Sequence, residues 1–344
     1  MMMKAITLRD VGGPDELRVV SVKRPDPGPH SVLLRVQAAG ICHHDVLARA
    51  GLIRGAARDQ TPGHEIAGEI VAAGAAVPGE CIGHRVAVYQ RIACLSCRHC
   101  LGGRHDLCCH SHVHGEHGAG GYAEFACVPA QNAIRIPDQV GFAAAALAAC
   151  PIGTSVRAAL GVAQIGPASV VLITGAGGGL GLHQIQVAKS VNARVIAVTT
   201  SAAKEAVIRQ AGADEVIVSR DLRFSRAVWR LTDRRGVDAV LENVVTGCLD
   251  QSLRSCGRDA TVVVLGNVGA TTVEIDPGLV ISRRIHIAGS GNATFADMRL
   301  ALDLMVRGIV KPVIGRVLTF PEAALGHALI EQRAVAGRII LSGW

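Results

Sequence analysis

The stretch "VVLITGAGGGLGLHQIQVAKS", Val170–Ser190, decides how this chain folds. It opens on a short apolar run, strand-like in length and rich in β-branched residues. The run ends in glycines. Gly175, Gly178 and Gly181 recur at every third position, a G-x-x-G-x-x-G pattern rather than the strict G-x-G-x-x-G. A helical pattern then covers Leu180 to Val191. A strand, a tight glycine turn and a helix start let the backbone approach a pyrophosphate closely, with the free N–H groups of the helix end facing it. Gly175, Gly177, Gly178, Gly179, Leu180 and Gly181 are the candidate phosphate contacts. A glycine run alone is a weak signal, and here the flanking strand and helix and the second apolar run "RVIAVT" strengthen it.

An NAD-specific loop of this kind places Asp or Glu on the ribose 2′-OH roughly 20 residues on. This chain instead carries "TTSAAK", Thr199 to Lys204. No carboxylate stands there to repel a 2′-phosphate. Ser201 can hydrogen-bond such a phosphate and Lys204 can neutralise it, with Thr199 and Thr200 alongside. NADP(H) is therefore expected over NAD(H). The competing reading is that Ser201 caps the next helix and Lys204 is solvated.

Working outward, strand–helix alternation begins near Pro151. Further strand candidates are "EVIV" (Glu215–Val218), "VDAVLE" (Val237–Glu242), "ATVVVLG" (Ala260–Gly266) and "RIHIAG" (Arg284–Gly289). Repeated units of this length imply a parallel sheet covered on both faces. The first 150 residues read differently, as short β segments such as "KAITLRD", "SVLLRVQAAG" and "EIAGEIVAAG". The tail, from "KPVIGRVLTF" to "AGRIILSGW", returns to strand character around one helix.

A length of 344 residues agrees with two domains. The chain is 49% hydrophobic and 18% charged, with 40 glycines and a net charge of +7. Its basic residues are scattered, without aromatic interleaving or a nucleic-acid motif, so a mildly basic enzyme surface is expected and no nucleic-acid partner. No apolar run approaches the roughly 20 residues that span a bilayer, and the start "MMMKAITLRD" lacks a signal core. A cytoplasmic protein with no membrane partner is expected. Its 11 cysteines should then be reduced thiols, and regular spacing among them points to metal.

"CLSCRHCLGGRHDLC" supplies that spacing through Cys94, Cys97, Cys100 and Cys108. Four thiolates from one loop can surround Zn²⁺ at about 2.3 Å and leave no open position, the pattern of a structural site. Cys109 is surplus. The following histidines, His110, His112, His114 and His117, read as a solvated loop. A second set is scattered. Cys42 in "GICHHD", His64 in "PGHEIAG" and Cys150 in "LAACPIGT" offer three ligands and leave a fourth zinc position free, as in a catalytic site. Glu65 is a possible exchangeable fourth ligand, and Asp45 is suited to accept the spare N–H of His64.

With these motifs in order, the chain resembles the zinc-containing medium-chain dehydrogenase/reductase family, alcohol dehydrogenase-like, over essentially its whole length. "GICHHD", "GHExxG", the cysteine lobe, "GGYAEFA", "CPIGT" and the glycine loop carry the likeness. The resemblance implies an α/β fold: a GroES-like β-rich catalytic domain over 1–150, completed by about 291–344, and a Rossmann doubly wound parallel-sheet domain over 151–290. It implies catalytic zinc on Cys42, His64 and Cys150 and structural zinc on the four-cysteine lobe. It also places Thr154 and the turn Gly266, Asn267 and Val268 beside the nicotinamide, and His43 near the cofactor phosphates. One departure stands out. His44 occupies a position usually held by Ser or Thr, which starts the proton relay. An imidazole there can move a proton, hydrogen-bond the cofactor ribose or shape the pocket.

The expected activity is that of a zinc-dependent, NADP(H)-linked alcohol dehydrogenase or carbonyl reductase, with His44, Asp45, Glu65 and Thr154 as the catalytic set. An alcohol, aldehyde or ketone is the expected partner, and a homodimer or homotetramer the expected state. Two alternatives remain open. "VVVLGNVG", "KPVIG" and the "TTSxxK" turn look like acryloyl-CoA reductase members of the family, which reduce a 2-enoyl thioester. A non-catalytic NADPH-binding protein on the same scaffold is the other, and retention of the zinc ligands argues against it.

Overall fold

The computed structural model describes residues 1–53 and 58–344. The chain divides into two compact units. One comprises Met1–Gly153, Asn292–Val306 and Ile314–Trp344; the other comprises Thr154–Gly291 and Arg307–Val313.

The second unit is built on a six-stranded, wholly parallel sheet. Its order is Glu215–Val218, Arg194–Thr199, Val170–Ile173, Val237–Glu242, Cys256–Val264, His286–Gly289. The strand order reverses between Val170–Ile173 and Val237–Glu242. In open α/β sheets ligands bind outside the strand ends at such a point. Leu172, Ile196, Val198, Val240 and Val262 form the centre of its core, which is why the strands read as near-continuous apolar runs. The helix Gly181–Ser190 is buried from Gly181 through Ala188, so it shows little amphipathic contrast.

Two strands differ in extent from the sequence reading. The run expected at Ala260 begins at Cys256, where Cys256 already pairs with Val237 across a bulge. The run expected from Arg284 begins only at His286, because Arg284 is left-handed at φ 55° and ends the helix Pro277–Arg283.

In the first unit the strand Ser31–Ile41 is central. It pairs with Arg338–Leu341, Glu65–Ala73 and Phe125–Pro129 in a seven-stranded sheet. Ile6, Leu34, Ile66, Tyr122, Phe320 and Ile339 lie in its core. Residues Arg307–Val313 belong to the second unit through specific bonds. Gln186 Nε2 donates to Lys311 O at 2.9 Å, Lys311 N donates to Gln186 Oε1 at 2.7 Å, and Val313 N donates to His183 Nε2 at 3.0 Å. Among the described residues, no helix is long and apolar enough to cross a membrane.

Candidate metal and dinucleotide sites

Cys42 directly follows the central strand and opens the helix His43–Arg49 as its N-cap. Asp45, at the third helical position, completes a capping box: its Oδ2 accepts the Cys42 N–H at 3.0 Å. Its other oxygen, Oδ1, stands 2.8 Å from His64 Nδ1. One buried carboxylate therefore orients two candidate ligands. His64 directly precedes the strand Glu65–Ala73. Cys150 lies in a wide helical turn, Ala148–Gly153, that contains Pro151, a residue without an N–H to donate.

These elements bring the Cys42 and Cys150 sulfurs to 3.9 Å, His64 Nε2 to 3.4 Å from Cys150 Sγ, and Glu65 Oε1 to 3.9 Å from His64 Nε2. All four donor atoms lie within 4.8 Å of one another. Tetrahedral zinc with ligands at about 2.0–2.3 Å needs donors roughly 3.3–3.8 Å apart, so the set fits the ion. Glu65 is fully buried, and its Oε2 has no hydrogen-bond partner among the described residues. That unsatisfied oxygen is costly unless a cation takes it.

Arg338, which the sequence did not single out, sits 2.8 Å from Glu65 Oε1. Burial raises the Glu65 carboxyl to about 7, against the pull of Arg338. The Cys42 thiol is held well below its usual range, first by the hydrogen bond with Cys150. His64 is pushed up despite its burial, by the charge and hydrogen bond of Asp45. An arginine opening an otherwise apolar strand, "RIIL", was the one visible signal for Arg338.

His43 and His44 occupy the first turn of the same helix. The His44 ring meets the His64 ring edge-on at 5.8 Å, and its Nε2 lies 2.7 Å from Glu116 Oε1. Burial works against protonation of His44, yet the contact with Glu116 leaves its pKa raised. Glu116 belongs to the stretch read as a solvated loop, and that reading needs correction. His110, His112 and His117 are exposed as expected, but His114 is only 4% exposed and burial lowers it to about 4.

The four-cysteine lobe closes as its spacing implies. Cys94, Cys97, Cys100 and Cys108 gather within 4.8 Å, with the Cys94 and Cys100 sulfurs 3.9 Å apart. Backbone N–H groups ease ionisation of two of them, that of Ser96 lowering Cys94 to about 7 and that of Cys100 lowering Cys97 to about 6, while burial pushes Cys100 up to about 12. Such a donor set suits a closed zinc shell. Cys109 is exposed and outside it.

In the second unit the glycine loop leaves the strand Val170–Ile173 and enters the helix at Gly181. Glycine at 181 is obligatory, since a Cβ would stand 2.6 Å from both Ala176 Cα and Gly175 O. Gly177 lies against Lys204, whose Cδ would be 2.8 Å from an added Cβ. Gly178, Gly179 and Leu180 complete the turn, and Gly179 O faces His183 Nδ1 at 2.6 Å. Thr199 ends its strand and its hydroxyl accepts the Ser201 N–H at 3.2 Å; Thr200 lies between them. Ser201 precedes the helical turn Ala202–Lys204 but makes no side-chain cap bond. The turn of Gly266, Asn267 and Val268 is braced on the loop after Glu242, with Val268 N donating to Val244 O at 3.3 Å. Thr154 is buried at the start of this unit.

Comparison with known proteins agrees with this architecture. The family profile described as "Alcohol dehydrogenase GroES-like domain" matches residues 28–138, and "Zinc-binding dehydrogenase" matches residues 179–307. The chain is 30% identical to the acryloyl-coenzyme A reductase of Metallosphaera sedula, covering 99% of this chain and 100% of that protein. It is 32% identical to the NAD-dependent alcohol dehydrogenase of Saccharolobus solfataricus, covering 98% and 99%. Among solved structures, AibC superposes with a TM-score of 0.93 at 40% identity, covering 100% of this chain and 96% of that one. This chain is thus an oxidoreductase of the zinc-type medium-chain dehydrogenase/reductase family.

Proposed function

We propose that the chain is a zinc-dependent, NADP(H)-linked alcohol dehydrogenase or carbonyl reductase. The observation that carries this reading is the buried convergence of Cys42, His64, Glu65 and Cys150, with Asp45 behind two of them. Cys42, His64 and Cys150 would hold the catalytic zinc, Glu65 its exchangeable fourth position, and Cys94, Cys97, Cys100 and Cys108 the structural zinc. Bound zinc supplies a Lewis acid for the negative charge that develops on the substrate oxygen.

The remaining roles belong to the chain. Asp45 keeps the proton of His64 on Nδ1, leaving the Nε2 lone pair free to ligate. Arg338 offsets the charge of Glu65, both side chains lying almost wholly out of solvent. His44 holds or releases the substrate proton at its imidazole, at the position where the family resemblance implies a hydroxyl. The glycine loop binds the pyrophosphate, and Gly266, Asn267, Val268 and Thr154 border the nicotinamide. Bound NADP(H) supplies or accepts the hydride. Preference for the 2′-phosphate is supported by the absence of a carboxylate in Thr199–Lys204 and by a Ser201 side chain that makes no cap bond to the following turn. Lys204, beside Gly177, adds the charge.

A second reading is NADPH-dependent reduction of a 2-enoyl thioester. It is favoured by full-length similarity to a protein named acryloyl-coenzyme A reductase and by the missing hydroxyl at position 44. NADPH oxidation by the zinc-replete enzyme separates the two. One panel holds aldehydes and ketones and another holds acryloyl- and crotonyl-CoA, each repeated after chelation. Chelation-sensitive carbonyl turnover supports the first reading, and turnover of the enoyl thioesters alone replaces it with the second.

A further inference from the structure

We propose that Glu116 is a positioning residue of the metal site, fixing the imidazole of His44 beside His64. This deepens the function proposed above, and rests on it for the chemistry that His44 serves. The contact is short, 2.7 Å from Glu116 Oε1 to His44 Nε2; the Glu116 side chain is 13% exposed and that of His44, which opens on one side to solvent, 44%. On its other side the His44 ring stands edge-on to the His64 ring, 5.8 Å away at 87°. The imidazole is therefore held between a candidate metal ligand and a carboxylate.

The placement of Glu116 is not that of a surface ion pair. Its own loop is tied down, with Glu116 N donating to Val113 O at 3.2 Å and His114 N to Gln90 O at 3.1 Å. The chain then bonds to the segment that delivers His64. Gly120 N donates to Thr61 O at 2.8 Å, Gly121 N to Gly63 O at 2.8 Å, and Tyr122 N to Pro62 O at 3.1 Å. Gly115, at φ 77°, approaches so closely that a Cβ would stand 2.7 Å from Gly63 N. Burial of His114 anchors the loop from within. Glu116 and His64 consequently sit on one bonded framework, while His44 arrives on a separate helix. The carboxylate joins the two and removes the rotamer freedom that would otherwise spread the imidazole over several positions. Exposed ion pairs of free side chains do not do this, because they lose entropy in forming.

The test uses the zinc-loaded, full-length protein and the variants E116A, E116Q, H44A and H44A/E116A. Zinc content and NADPH affinity should match the wild type in all four. E116A should lose about 10–100-fold in kcat/KM, mostly in kcat, as is usual when the partner of a site residue is removed. E116Q, which keeps an oxygen in place, should recover most of that loss. In the H44A background, removing Glu116 should cost nothing further, because the two act as a unit. An equal loss from E116A with and without His44 overturns the proposal, as does wild-type kcat/KM in E116A. A readout free of turnover comes from nitrogen NMR of the His44 ring, assigned with H44A. Its ε-nitrogen resonance should shift in E116A; an unchanged resonance overturns the contact itself. If neither substrate panel reacts, the proposed function has failed and this second readout still decides the role of Glu116.

Discussion

His327 offers a quantitative test of how the catalytic unit is held together. It lies in the helix Ala323–Glu331, is fully buried, and stands 3.5 Å from the Tyr122 hydroxyl. Burial lowers its pKa to about 4, against roughly 6.5 for an exposed imidazole. The folded-state value is the lower one, so the unfolded chain takes up the proton first. The contribution to stability is complete above pH of about 6.5, falls as the pH drops toward 4, and then levels off. A difference of about 2.5 units at 1.36 kcal/mol each corresponds to about 3 kcal/mol across that window. His327→Leu keeps a similar volume and cannot titrate. Trp344, stacked on Phe320 at 4.8 Å within the same unit, is the reporter. A Trp229→Phe background silences the second tryptophan. Denaturant unfolding followed by Trp344 fluorescence at pH 8 and pH 4 should show the wild type losing about 3 kcal/mol more than the variant. Acid release of metal is common to both proteins and cancels in that difference. Parallel losses would refute the reasoning and place the His327 proton outside the folding equilibrium.

Three further outcomes follow from the same geometry. Lys204→Glu should raise KM for NADPH by about 10–100-fold, the worth of one charge-assisted hydrogen bond, and leave KM for NADH nearly unchanged; equal shifts in steady-state kinetics would remove Lys204 from cofactor choice. Arg338→Met strands the fully buried Glu65 without its cation and should cost about 3–5 kcal/mol, read as a lowered thermal midpoint. A midpoint within a degree of wild type would mean that Glu65 is neutral or otherwise compensated. Gly40→Ala would drive a methyl group into the Glu65 carboxylate. Metal analysis should then find the four-cysteine zinc retained and the second zinc depleted, whereas two zinc ions per chain would show that the carboxylate can move aside.

Legibility in the sequence tracks the distance along the chain over which a feature is built. The glycine loop and the cysteine lobe are local. Gly175 to Gly181, read with the strand and helix that flank them, and Cys94 to Cys108, read by their spacing, point to a tight turn and to a lobe that can wrap an ion. The strands of the parallel sheet were visible because burial on both faces leaves long apolar runs. Their ends were less so, since a bulge at Cys256 and a left-handed Arg284 depend on neighbours.

Cys42, His64 and Cys150 were nameable only through their surrounding motifs, because 108 positions separate the two cysteines that stand 3.9 Å apart. Arg338 and Glu116 had no such motif. A charged residue acquires its role from what lies opposite once the chain is folded. Arg338 opposes a buried carboxylate, and Glu116 opposes an imidazole on another helix. His114 shows the same limit from the other side, since one histidine in a polar run is buried while its neighbours are exposed. Residue type and local spacing were enough for the two-unit α/β architecture, the glycine turn between strand and helix, and the lobe. Burial and long-range pairing, which are set by packing rather than by adjacent residues, decided which polar side chains converge on the candidate metal site.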